Sequence, residues 1–94
     1  MSKSILQPDG ERRCFLCGRQ HGLEKHHIYG GIGRRKISEA YGFWVYLCAA
    51  CHRGPNGAQY SKASEDILKQ LCQEEFEKNH NRDEFRALIG KSYI

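Results

Sequence analysis

Two pairs of cysteines flanking a pair of histidines are the residues of this chain best suited to chemistry. Cys14-Phe-Leu-Cys17 and Cys48-Ala-Ala-Cys51 each separate two thiols by two residues, a spacing that lets a tight turn point both sulfurs at one metal ion. We call these two turns the first and second knuckle. Because Zn²⁺ binds thiolates readily, the four cysteines predict one structural zinc ion. The pattern also allows two alternatives, namely reduced buried thiols and an iron–sulfur cluster.

Three of the histidines near the knuckles are candidates for chemistry. His26 and His27 are adjacent, and His52 follows Cys51 directly. Phosphodiester hydrolysis needs a divalent cation to stabilise the leaving oxygen and a base to deprotonate water, and histidine can serve both functions. Neighbouring side chains on an extended segment point to opposite faces, so both histidines can serve one site only if the backbone bends. We predict a second, catalytic metal site here, with purely structural histidines as the alternative.

The elements expected around these residues are short. A strand is predicted over residues 24–29 and is followed by a flexible glycine loop over residues 30–33. One helical turn is predicted over residues 38–41, ended by Gly42. Residues 43–47 are aromatic or β-branched and predict a second strand that leads into the second knuckle.

The ends of the chain are predicted to differ in order. Residues 1–10 are expected to form a flexible N-terminal arm, and residues 11–94 a single zinc domain with a helical tail from residue 61. Apolar residues recur at helical spacing in this tail, and Cys72 lies on the apolar stripe as an expected core residue. Asn81 and Glu84 have the spacing of a capping box and predict the start of a further short helix.

Positive charge is concentrated in the first two thirds of the chain. Residues 1–62 hold ten Lys and Arg against four acids, whereas residues 63–94 hold five against seven, so +6 and −2 give the net +4. This asymmetry suits a polyanionic partner, and a soluble surface of mixed sign is the alternative. The residues expected to contact nucleic-acid phosphates are Arg34, Arg35, Lys36 and Arg53. Arg53, beside His52, is also expected to clamp the scissile phosphate.

Length and composition limit the class of protein. A chain of 94 residues is enough for one small domain, and a domain of this size often needs a metal or disulfide to hold it together. No membrane partner is expected, since no apolar run approaches the roughly 20 residues of a bilayer span. The N-terminus lacks a hydrophobic signal segment, so we expect a cytoplasmic location. Thiols stay reduced there, which favours metal over disulfides.

The order of the motifs resembles that of a known nuclease family. Cys-x-x-Cys, then His-His, then Leu-Cys-x-x-Cys-His is similar to the HNH endonucleases. Residues 24–31 and 45–54 resemble small HNH proteins of bacteriophages and prophages, and the likeness covers roughly residues 14–60. It implies a small α+β, zinc-stabilised domain with a treble-clef, ββα-metal core, followed by C-terminal helices.

The resemblance also implies a role for each motif residue. His27 matches the general base, and His26 and His52 match the ligands of the catalytic cation, which would be Mg²⁺, Mn²⁺ or another divalent ion. The residues that match the structural zinc ligands are Cys14, Cys17, Cys48 and Cys51.

Two positions depart from the family pattern. Phe43 stands where the family often has an asparagine that holds the active-site loop and the base, so we expect a backbone carbonyl to orient His27 instead. Gln59 stands near where phage relatives place a further histidine ligand. Gln59 and Asn56 are therefore candidate weak ligands, with a plain surface amide as the alternative for Gln59.

The function expected from this pattern is that of a metal-dependent DNA endonuclease or nickase, encoded by a phage or prophage. DNA is the expected partner, together with phage or host DNA-processing proteins. One alternative is a non-catalytic treble-clef zinc protein that binds nucleic acid or a host protein. Another is an adaptor that uses the amphipathic helix predicted over residues 62–79.

Overall fold

Within residues 3–10, 12–55, 57–59 and 61–94, which the computed structural model describes, the chain has two strands and four helices. This arrangement confirms the α+β class. In chain order the elements are β1 (Leu23–His27), α1 (Arg34–Tyr41), β2 (Trp44–Cys48), α2 (Ala49–Arg53), α3 (Lys62–Phe76) and α4 (Arg82–Ile89). None of the described helices combines the length and apolar character that a bilayer span requires.

The two strands pair antiparallel in a small sheet. The register runs from Leu23 opposite Cys48 to His27 opposite Trp44, so the histidine pair lies at the end of β1 that meets the start of β2. β2 is buried along most of its length, as its aromatic and branched residues predict. β1 ends sooner than predicted because the chain leaves the ladder at Tyr29, whose N–H donates to the Ser38 hydroxyl.

Helix α1 is longer than the single turn predicted. It begins at Arg34, so the basic residues form its first turn rather than the end of a loop. Gly42 ends it in the left-handed conformation and donates its N–H to the carbonyl of Ser38, as the predicted stop requires. Ser38 is buried and its hydroxyl donates to the Tyr29 carbonyl at 2.8 Å, which ties α1 to the chain just after β1.

A cluster of aromatic side chains forms the centre of the core. Phe43 is completely buried, and its ring centroid lies 5.5 Å from those of Tyr29 and Phe76. Cys72 is also fully buried here, which confirms its predicted role. Burial raises the pKa of the Cys72 thiol to about 12, so this thiol is protonated and inert.

The N-terminal segment packs against β2, so the prediction of a flexible arm is wrong for residues 3–10. The hydroxyl of Ser4 donates to the carbonyl of Trp44, and both Ser4 and Gln7 are buried. The Gln7 side chain accepts from the N–H of Tyr46 at 2.8 Å, so it occupies a backbone donor on β2. Ile5 and Leu6 between them also pack against the core, but two adjacent apolar residues are too few to give a periodic pattern.

Gly42 makes this packing sterically feasible. A Cβ atom at this position would lie 2.1 Å from the carbonyl oxygen of Lys3, and the φ angle of 77° also favours glycine. The N–H of Ile5 donates to the Gly42 carbonyl at 3.0 Å, so the two backbones are in direct contact.

The C-terminal helices begin where their capping residues predict. Ser61 caps α3 by accepting the N–H of Ser64. Asn81 and Glu84 form the predicted capping box, in which each side chain accepts the other residue's backbone N–H. Both helices supply apolar side chains to the aromatic core.

Candidate active site and metal centre

Four sulfur atoms come together where the two knuckles meet. The Sγ atoms of Cys14, Cys17, Cys48 and Cys51 all lie within 4.8 Å of one another, and those of Cys17 and Cys48 are 3.6 Å apart. A tetrahedron of zinc–sulfur bonds of about 2.3 Å has edges of about 3.8 Å, so this cluster fits a tetrahedral ion. The predicted gathering of the four cysteines at one metal-binding position is confirmed, and the donor set is compatible with structural zinc.

The sheet brings the two knuckles together across 30 intervening residues. In the first knuckle the N–H of Cys14 donates to the Arg19 carbonyl at 2.7 Å, which closes a tight turn. The N–H of Phe15 donates to the Tyr46 carbonyl at 2.8 Å and so fixes this turn to β2. The second knuckle is continuous with β2, because Cys48 ends the strand and Cys51 lies in α2.

The local environment prepares one of these thiols for metal binding. Burial raises the pKa of the Cys14 thiol, but the backbone donors around it, with Cys48 foremost, outweigh burial and bring that pKa down to about 6. Burial and the neighbouring sulfurs raise the pKa of Cys51. Zinc binding would therefore displace protons from the cluster, as in other thiolate sites.

Strand alternation places the polar residues of β1 on two faces, as predicted. Glu24 and His26 face α2, where they meet His52. Lys25 and His27 face α1, where both side chains contact Glu39.

On the α2 face, two imidazoles lie beside each other. The ring centroids of His26 and His52 are 5.0 Å apart. Nε2 of His26 is buried and has no hydrogen-bond partner among the described residues. Burial, followed by the nearby His52, lowers the pKa of His26 to about 4, so its ring is neutral and its lone pair is available.

Glu24 orients His52. The Glu24 carboxylate lies 2.8 Å from Nδ1 of His52. This hydrogen bond is the main reason why the pKa of Glu24 is lowered. An ionised carboxylate can only accept, so His52 donates through Nδ1 and keeps Nε2 for another partner. The sequence pattern does not predict this role of Glu24, because His52 is 28 residues away.

On the α1 face, a carboxylate occupies one nitrogen of His27. Oε2 of Glu39 lies 2.7 Å from Nε2 of His27, and Oε1 of Glu39 lies 2.7 Å from Nζ of Lys25. The expected backbone-carbonyl partner of this imidazole is therefore wrong, since a side chain takes that position. Sequence reasoning missed Glu39 because no local pattern links it to a strand 12 residues earlier.

The two faces meet at one cavity of about 340 Å³ at the end of β1. Its lining residues are Lys25, His26, His27, Gly30, Gly31, Arg35, His52 and Gln59. The structure thus brings together the three predicted histidines, with Gln59 beside them. Asn56 lies outside the described residues. Among the His, Cys, Asp and Glu side chains of the described residues, only the four cysteines form a set of three or more potential metal ligands within 4.8 Å, so the three histidines do not form such a set.

The predicted phosphate contacts separate into two groups. Arg35 lines the histidine cavity, and Arg35 and Lys36 line a neighbouring cavity of about 760 Å³ that also borders His27. Arg34 is directed elsewhere, since its guanidinium lies beside Gly90 at the end of α4. Arg53 does not line either cavity.

Arg53 forms an ion pair with Glu24, with its Nη2 atom 2.7 Å from the carboxylate. Arg53 is therefore held by the same carboxylate that contacts His52, and it does not line the cavity. Its predicted contact with the scissile phosphate stays a prediction. Of the four predicted phosphate contacts, Arg35 is the one that lines the histidine cavity.

Phe43 contributes to this site only through its backbone. Its side chain lies in the aromatic core, and its carbonyl accepts the N–H of Ile28 at 2.9 Å. This bond holds the residue directly after His27, so the main chain secures the segment that bears the histidine.

Comparison with protein-family models, with curated proteins and with solved structures gave no match for this chain. The resemblance to HNH endonucleases therefore depends on the motif residues alone.

Proposed function

We propose that this chain is a metal-dependent DNA endonuclease or nickase of the HNH type, encoded by a phage or prophage and built on a treble-clef, ββα-metal core. The observation that carries the proposal is the shared cavity. Three imidazoles from β1 and α2 line it, and one of them, His26, presents a buried nitrogen without a partner among the described residues. A buried polar atom of this kind calls for an explanation, and a bound cation supplies one.

His26 and His52 would hold the catalytic cation. Nε2 of His26 has no hydrogen-bond partner among the described residues, and the bond from Nδ1 of His52 to Glu24 leaves the other nitrogen of that ring available. Gln59 lines the same cavity and adds a weak oxygen donor. A bound Mg²⁺, Mn²⁺ or similar ion would stabilise the negative charge that develops on the leaving oxygen.

His27 would act as the general base. It lies on the opposite face of β1 from His26 but borders the same cavity, where it can accept a proton from the attacking water. Arg35 and Lys36 would hold the DNA backbone beside it through charge-assisted hydrogen bonds. The cysteine cluster would bind zinc as scaffold, because it anchors the start of α2 and hence His52.

A plasmid assay tests this function. Supercoiled DNA is incubated with the zinc-loaded protein and Mg²⁺, Mn²⁺, Ni²⁺ or Zn²⁺, and nicked and linear products are quantified. We expect nicking by the wild type and a loss of about 10²- to 10⁴-fold in His27→Ala, the range contributed by a general base. His21→Ala is the matched control, since His21 is exposed and lines neither cavity.

The comparison needs a measure of folding. Zinc content and circular dichroism should be the same for the wild type and both variants. Equal nicking by the wild type and His27→Ala would disprove the mechanism.

A non-catalytic nucleic-acid-binding protein is the second candidate. It is favoured by Gln59, which is a weak metal ligand, and by the lack of a three-donor set at the histidines among the described residues. A salt-sensitive gel shift with no cleavage by any of the four cations would support this function instead.

A further inference from the structure

We propose that Glu39 is a positioning residue that holds the proton of the neutral His27 imidazole on Nε2 and so leaves the lone pair on Nδ1. This inference depends on the proposed function for its catalytic consequence, but its structural part concerns His27 alone. The hydrogen bond between Oε2 of Glu39 and Nε2 of His27, at 2.7 Å, is the contact that carries it.

The chemistry of this contact selects one tautomer. A carboxylate has no proton to donate, so the proton of the hydrogen bond must lie on Nε2 of His27. In the neutral ring the other nitrogen, Nδ1, then carries the lone pair. Without Glu39 either nitrogen could hold the proton, and a fraction of the molecules would present an N–H where the attacking water needs an acceptor.

Lys25 keeps Glu39 ionised. Nζ of Lys25 lies 2.7 Å from the second carboxylate oxygen, and this contact, followed by that with His27, holds the pKa of Glu39 below its ordinary value. Lys25 is itself held in place, because its ammonium group lies 4.1 Å from the centre of the Trp44 ring. Both oxygens of the carboxylate are therefore engaged.

The backbone around Glu39 is also well fixed. Its neighbour Ser38 is buried and hydrogen-bonded in both directions to the main chain of Tyr29, two residues after His27. The distance between α1 and the end of β1 is thereby set by buried contacts. Such support is what a positioning residue requires, since a loose carboxylate would not select a tautomer.

The alternative is an ion pair that only stabilises the packing of α1 on β1. To separate the two, we would record long-range ¹H–¹⁵N correlation spectra of the histidine rings together with nicking kinetics. For the wild type we expect His27 to be protonated on Nε2. In Glu39→Ala we expect a mixture of tautomers, a fall in kcat of about 10- to 100-fold and little change in KM.

Two further variants complete the test. Glu39→Gln keeps an acceptor oxygen but no charge, so its tautomer ratio and kcat should lie between those of the wild type and Glu39→Ala. Glu84→Gln is the control, because the Glu84 carboxylate also contacts an imidazole, with Oε2 3.0 Å from Nδ1 of the exposed His80, outside the histidine cavity. It should leave the His27 spectrum and the kinetics unchanged.

Each outcome bears on the inference. A wild-type His27 protonated on Nδ1, or a Glu39→Ala protein with wild-type tautomer and kcat, would overturn it. If the wild type fails to nick DNA with any cation, the proposed function fails, whereas an Nε2 proton that is lost in Glu39→Ala would still establish the positioning of His27.

Discussion

Replacing Phe43 with asparagine, the residue that the HNH pattern often has at this place, should unfold this protein. The Phe43 side chain is completely buried, and its ring lies 5.5 Å from Tyr29, 5.5 Å from Phe76 and 6.2 Å from Phe85. Truncating a buried phenylalanine costs about 3–5 kcal/mol, and burying an amide without partners costs about 1–3 kcal/mol more. A domain of this length has a total stability of about 5–14 kcal/mol, so Phe43→Asn should remove much or all of it.

Thermal unfolding followed by circular dichroism, at fixed free zinc, measures this effect. At about 4–8 °C per kcal/mol, the Tm of Phe43→Asn should fall by at least about 15 °C. Ile67→Asn is the matched control, since Ile67 is half exposed on α3 and should change the stability by no more than about 0.5 kcal/mol. A Phe43→Asn protein with the Tm of the control would refute the core assigned here.

Two more predictions follow from the knuckles and from Gly42. Cys48→Ser should lose its bound zinc, whereas Cys72→Ser should keep one ion per chain. Elemental analysis after purification without added metal measures the zinc content. Equal zinc in the two variants would contradict the assigned ligands. Gly42→Ala and Gly10→Ala both place alanine at a φ near 75°, which costs about 1–2 kcal/mol, but only the first overlaps the Lys3 carbonyl. Gly42→Ala should therefore have the lower Tm, and equal values would argue against the packing of residues 3–10 on β2.

Much of the fold could be predicted from local patterns. The knuckles, the two short strands, the α3 and α4 helices and the capping box at Asn81 all depend on residues within a few positions of one another. Local chemistry is sufficient for these features, because a tight turn, a cap or an apolar stripe is formed by neighbours in the chain. The buried position of Cys72 follows from the same helical spacing.

The site could be predicted only as a set of residue types. The sequence named His26, His27 and His52, and the structure places them at one cavity. It gave no sign of the two carboxylates that orient them, because Glu24 and Glu39 reach their histidines across 28 and 12 residues.

Tertiary structure alone decided which charged groups face the cavity. Arg35 lines it, whereas Arg34 lies beside the end of α4 and Arg53 is paired with Glu24. The same holds for Ser4 and Gln7, which are polar residues buried by satisfying backbone groups of β2. Periodicity reports where apolar surface must be buried, but the partner of a polar side chain depends on which strand or helix the fold brings within about 3 Å of it.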